Sequence, residues 1–213
     1  MKKRLICLMT AFMLMVTAFS VGTLEVHAAK QETLNTSVKQ FMKYAKAFHI
    51  KGIRSRVADL GEYDMIYDTA NASSGDEMYK YYKKCAKKMK WKVVSKKKRN
   101  KTTVDVKFKI RYVNSKQFTE NLMTNISNDM LSGKMDLEKM LEMTEKQLMK
   151  YMNSVVRRSA ASVKKTAYRT QTIKVTFVKK GTKWKVKKMT KALDNVLQAN
   201  VPVSMEKLAN SLY

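Results

Sequence analysis

The sequence predicts an α+β domain in which an antiparallel sheet of about four strands lies on N-terminal helices, with a helical insertion between two hairpins. Three observations carry that expectation. Between Thr102 and Val113, the residues Val104, Val106, Phe108, Ile110 and Tyr112 alternate with Asp105, Lys107, Lys109 and Arg111. A strict period of two marks a strand with one dry face and one wet face. A second alternation turns Ile173, Val175 and Phe177 one way and Lys174, Thr176 and Val178 the other. On both sides of these strands, apolar residues recur at intervals of three and four, the period of an amphipathic helix. Such helices cover a dry sheet face.

Taken in order, the chain opens with Lys2, Lys3 and Arg4, an apolar run from Leu5 to Phe19, and Val26-His27-Ala28. This pattern is a secretory signal, 1–28, with cleavage expected after Ala28; an uncleaved anchor is the alternative. Residues 29–213 are then one domain. Val38, Phe41, Ala45 and Phe48 give a first helix stripe, and Ile53, Val57 and Leu60 a shorter one that Gly61 stops. Ser74 with Glu77 fits a capping box ahead of a helix that runs to Met89. Trp91 to Ser95 reads as a strand, and Lys96 to Asn100 as a polar hairpin loop leading into the strand at Thr102. Asn114-Ser115 caps a helix lined by Phe118, Leu122, Ile126 and Met130. A short helical piece at Leu137–Leu141 follows, then a helix with a Thr144/Gln147 capping box. The insertion is 116–165. Lys180-Gly181-Thr182 turns the chain into a last strand with Trp184 and Val186 inward. The tail is helical around Leu193, Val196 and Leu197, is stopped by Pro202 and is recapped at Ser204.

The 213 residues carry 44 Lys and Arg against 17 Asp and Glu, a formal net charge of +27. That imbalance favours anionic partners: a cell-wall polymer or lipid headgroups outside a cell. Of two cysteines, Cys7 leaves with the signal. Cys85 then stands alone, which excludes an internal disulfide and leaves stability to the core.

The hairpin from Trp91 to Val113 and the closing phrase Phe177-Val178-Lys179-Lys180-Gly181-Thr182-Lys183-Trp184-Lys185-Val186 carry a resemblance. Together with the element order, they resemble small exported members of the nuclear transport factor two-like superfamily. The resemblance implies a curved sheet wrapped around N-terminal helices as a cone, with a pocket at the wide end. The stretch from Ser115 to Val163 exceeds the family's spacing, hence the insertion. The concave face would present Val104, Val106, Phe108, Ile110, Tyr112, Ile173, Val175, Phe177 and Trp184 to a small apolar ligand. The superfamily's enzymes place carboxylates, Tyr or His there, and no such catalytic residue can be carried over to this chain.

The residues themselves point away from catalysis. His49 is the sole histidine of the mature chain, so no metal cluster forms around it. No metalloprotease, nucleophile-elbow or phosphate-loop motif is present. Seven methionines between Met123 and Met152 read as adaptable core or as a pliable groove, and less readily as a Cu(I) site. The expectation is an exported, non-catalytic binding domain of a Gram-positive cell envelope, without cofactor and not directed at nucleic acid. Charge-driven adhesion through the basic hairpin tip, Lys96, Lys97, Lys98, Arg99 and Lys101, is the first alternative. A cone-fold enzyme using helix residues such as Tyr44, Tyr63 or Asp64 is the second.

Overall fold

The computed structural model describes residues 31–64, 67 and 76–210. The signal segment, the turn at Ala72–Gly75, Ser74 and Leu212 lie outside the described residues. The fold is α+β, with a curved four-stranded antiparallel sheet in the order β1-β2-β3-β4. The strands are β1 (Lys90–Asn100), β2 (Thr103–Val113), β3 (Tyr168–Lys180) and β4 (Lys183–Val186). Ahead of them come α1 (Leu34–Ala47), α2 (Ile50–Ser55), a 3-10 turn (Gly61–Tyr63) and α3 (Glu77–Lys87). Between β2 and β3 stand α4 (Lys116–Leu131), α5 (Leu137–Glu142) and α6 (Glu145–Ala161); α7 (Lys191–Leu197) and α8 (Val201–Asn210) follow the sheet.

Strand parity sorts the two faces as expected. Val106, Phe108, Ile110 and Phe177 are fully buried, and Val104, Tyr112, Ile173 and Val175 nearly so. They form one core with Val38, Phe41 and Met42 of α1 and with Ile53 of α2. Phe177 meets Phe41 edge-on at 6.3 Å, and Phe108 meets Trp91 edge-on at 6.2 Å. Burying side chains of this size contributes roughly 1.5–3 kcal/mol each, so this layer holds the sheet to the helices.

The helix starts follow from their caps. Thr33 accepts from the Thr36 amide, and Thr144 and Gln147 make the reciprocal capping box foreseen for α6. At α3 the cap is Asp76, whose carboxylate takes the amides of Met78 and Tyr79, rather than Ser74. Ser115 occupies the cap position of α4, but its hydroxyl faces Tyr81 Oη at 2.9 Å instead of the helix amides.

Three expectations are corrected. Lys96–Asn100 is not a loop: β1 continues to Asn100 and only Lys101-Thr102 turns the chain. Pairing with Thr103–Val106 satisfies the backbone groups that face β2, and charge alone does not break a strand. Val57 does not extend the second helix; it bridges Val186, while the Ala58 amide and Arg56 carbonyl bond the Val186 backbone at 2.8 Å each. This segment seals the β4 edge. Pro202 does not stop a helix. The chain leaves α7 through left-handed Ala199 and Asn200, and Pro202 lies in the first turn of α8, where its missing N–H costs nothing.

Candidate functional site

The outer face of the sheet gathers several like charges across three adjacent strands. Its positions follow from the register. Ser95, Lys107 and Lys174 lie side by side across β1, β2 and β3. The next row holds Lys92, Lys109 and Thr172, and the one after it Lys90, Arg111 and Thr170. A bulge at Val94, which is half exposed, shifts the parity of β1. Beyond it, Lys97 and Arg99 turn outward while Lys96 and Lys98 fall opposite Val106 and Val104.

Ser95, Lys97, Arg99, Asp105, Lys107 and Lys174 line an open depression of about 410 Å³. Asp105 is its only acid. Arg99 Nε donates to Asp105 Oδ2 at 2.8 Å, and Thr176 Oγ1 donates to Oδ1 at 2.8 Å. The Arg99 hydrogen bond, with help from Thr176, holds the carboxyl below the usual carboxylate range. Its two oxygens are thereby engaged, so it anchors Arg99 and is no general base. Among the described residues, no carboxylate forms an ion pair with Lys92, Lys97, Lys107, Lys109 or Lys174. These ammonium groups remain available to an anion from solution.

The two sets of residues singled out by sequence separate. Val104, Val106, Phe108, Ile110, Tyr112, Ile173, Val175 and Phe177 lie inward and are covered by the helices; Trp184 is half-buried beside them. Of the hairpin-tip cations, Lys97 and Arg99 line the depression. Lys98 lies opposite Val104, Lys96 reaches Asn35 on α1, and Lys101 is exposed in the turn. Lys92, Lys107, Lys109 and Lys174 were missed as a cluster. The signal was present in the alternation itself, because every wet position of β2 past Asp105 is basic.

Other reactive groups are engaged locally. Tyr44 stacks on His49 at 5.4 Å, and His49 Nδ1 accepts from the Gly52 amide. Asp64 pairs with Arg54 at 2.9 Å. Burial, with a hydrogen bond to Glu62, pushes Tyr63 up to about 12. Burial raises the Cys85 thiol, which an unreactive cysteine shows. Met135 is buried, and Met130 and Met152 pack on the main core. Asp129 is clamped by Arg158 (Nη2 to Oδ2 2.5 Å) and Lys134, tying α4 to α6. Among the described residues, no group of three His, Cys, Asp or Glu is placed to hold a metal.

One buried carboxylate stands apart. Asp194 on α7 accepts from Tyr67 Oη at 2.9 Å and from Gln198 Nε2 at 2.8 Å. Burial pushes its pKa up to about 6 against those two hydrogen bonds, and the charge of Glu62 adds to the rise. A carboxyl raised in the native state stabilises below its unfolded value of 3.8, and that benefit is lost as pH rises through about 6. Between pH 5 and 7 wild-type protein should lose about 1–2 kcal/mol through this group. Asp194→Asn should remove that slope, as urea midpoints across the interval would show. The depressed carboxyls of Asp105, Asp129 and Glu32 titrate below this window and do not confuse it.

No family model matches the chain, and neither the curated proteins nor the solved structures contain a match.

Proposed function

We propose that the chain is an exported, non-catalytic binding domain that adheres to an anionic polymer of the cell envelope through the outer face of its sheet. The observation that carries this reading is the set of neighbouring lysines Lys92, Lys107, Lys109 and Lys174, none in an ion pair among the described residues, beside a depression whose one acid is already engaged by Arg99. Like charges on adjacent strands repel and destabilise the free sheet. A polyanion relieves that repulsion, so the arrangement is strained alone and satisfied when bound. The N-terminal signal pattern supports export, and the helix-covered antiparallel sheet supports the cone-fold reading. The apolar residues of the inner face support the domain by packing, not by receiving a ligand.

Salt distinguishes this mode from an apolar ligand. Binding to a soluble polyanion such as dextran sulfate should weaken roughly twenty- to fifty-fold for a fourfold rise in salt, if about three or four charges are neutralised. Neutral dextran should not bind. Affinity for dextran sulfate that ignores salt contradicts the reading.

A further inference from the structure

Resting on that reading, we infer that the polymer is a linear polyol phosphate with one phosphodiester per three-carbon unit, laid along the direction of β1 and β2. Basic residues recur on the outer face at every second position of β2: Lys107, Lys109 and Arg111. Two residues of strand rise about 6.6–6.8 Å. The partners keep step, because the bulge at Val94 lets Ser95 sit beside Lys107 while Lys92 and Lys90 sit beside Lys109 and Arg111. The face therefore offers cationic rungs at one fixed repeat.

A two-residue step of backbone is six bonds long. A glycerol-phosphate repeat is also six bonds long, through phosphorus, two ester oxygens and three carbons. Extended, both span about 7 Å. Each phosphodiester can then meet one rung without stretching or slack. A five-carbon polyol phosphate has eight bonds per repeat, about 9 Å by the same measure, and loses register after the first contact. The hydroxyls of Thr170 and Thr172 on β3 flank two rungs and can donate to phosphate oxygens, as Thr side chains do at backbone phosphates.

Single-stranded nucleic acid has the same six-bond repeat, so spacing alone does not separate it. The aromatic residues do. Binding of bases uses exposed rings as stacking platforms. Trp91, Phe108, Tyr112, Phe177 and Trp184 all lie on the inner side of the sheet. Tyr168 is the exception, and the Arg111 guanidinium sits 3.4 Å from its ring centroid. Beyond that one ring, already stacked by Arg111, the sheet aromatics face inward and the outer face reads charge at intervals.

The test compares three oligomers of equal phosphate number on the purified chain by titration: glycerol phosphate, ribitol phosphate and oligo-deoxythymidine. The three-carbon oligomer should bind about tenfold tighter than either other, with a slope of log K against log salt of about −2 for three rungs. Lys109→Gln should reduce that slope by about 0.7. Lys150→Gln, an exposed position on α6, should not change it. Equal affinity for the two polyol phosphates overturns the match of repeats while leaving anionic adhesion standing. Tighter binding of oligo-deoxythymidine overturns it in favour of nucleic acid. Failure of all three to bind, or binding insensitive to salt, overturns the adhesion reading as well.

Discussion

Replacing Lys107 and Lys109 with glutamate is expected to lower affinity for an anionic polymer by about a hundredfold at low salt. Each reversal removes one attraction of up to about 1 kcal/mol and adds a repulsion of similar or smaller size. Two reversals sum to about 3 kcal/mol, or two powers of ten. The same change should leave stability within about 0.5 kcal/mol of wild type, or raise it. Lys107 faces Lys174 across the β2–β3 ladder, and Lys109 faces Lys92 across β1–β2. A glutamate at either site turns a like-charge pair into an opposite pair. Loss of binding with unchanged or higher melting temperature is the signature of a face kept basic for its ligand. Titration calorimetry and thermal unfolding of the same preparation would show both.

Phe108→Ala is expected to cost about 3–5 kcal/mol. Phe108 is fully buried at the middle of β2, with Trp91 on one side and Phe177 on the other at 6.3 Å. Its removal leaves a cavity where the sheet meets the helices. Against a total stability of 5–15 kcal/mol typical of domains, that loss moves the urea midpoint far to the left with little change in slope. A loss below about 1 kcal/mol would mean the inner face is a hollow and not a packed core. Phe108→Leu, which keeps most of the volume, should recover more than half of the loss.

The inner face was legible because two strands alternate without error, and because α1 presents Val38, Phe41 and Ala45 at helical spacing to meet them. The edges of elements were less so. The run Lys96–Asn100 has the composition of a loop, yet its pairing partner lies only a two-residue turn away, and pairing overrides composition. The bulge at Val94 has no sequence signature, and it alone decides that Lys97 rather than Lys96 faces outward. Asp194 sits among Leu193, Val196 and Leu197 on a two-turn helix that is buried all round, so periodicity could not show its burial. Val57 has helical spacing from Ile53 but is drawn into the sheet by the free edge of β4. For Val57 and Asp194 a partner distant in sequence outweighed the local pattern. The basic cluster was overlooked for a different reason: alternating lysines are ordinary on one wet strand, and their number becomes meaningful only once three strands are set in register.

Lysine footprinting tests the central claim most directly. The purified chain is amidinated with and without a saturating anionic polymer, and modification at each lysine is read by peptide mass spectrometry. Protection confined to Lys90, Lys92, Lys97, Lys107, Lys109 and Lys174, with Lys43, Lys146 and Lys150 on the helices still reactive, is the expected result. Protection spread evenly over helix and sheet lysines, or centred on the helices, would show that the outer face of the sheet is not the ligand's seat.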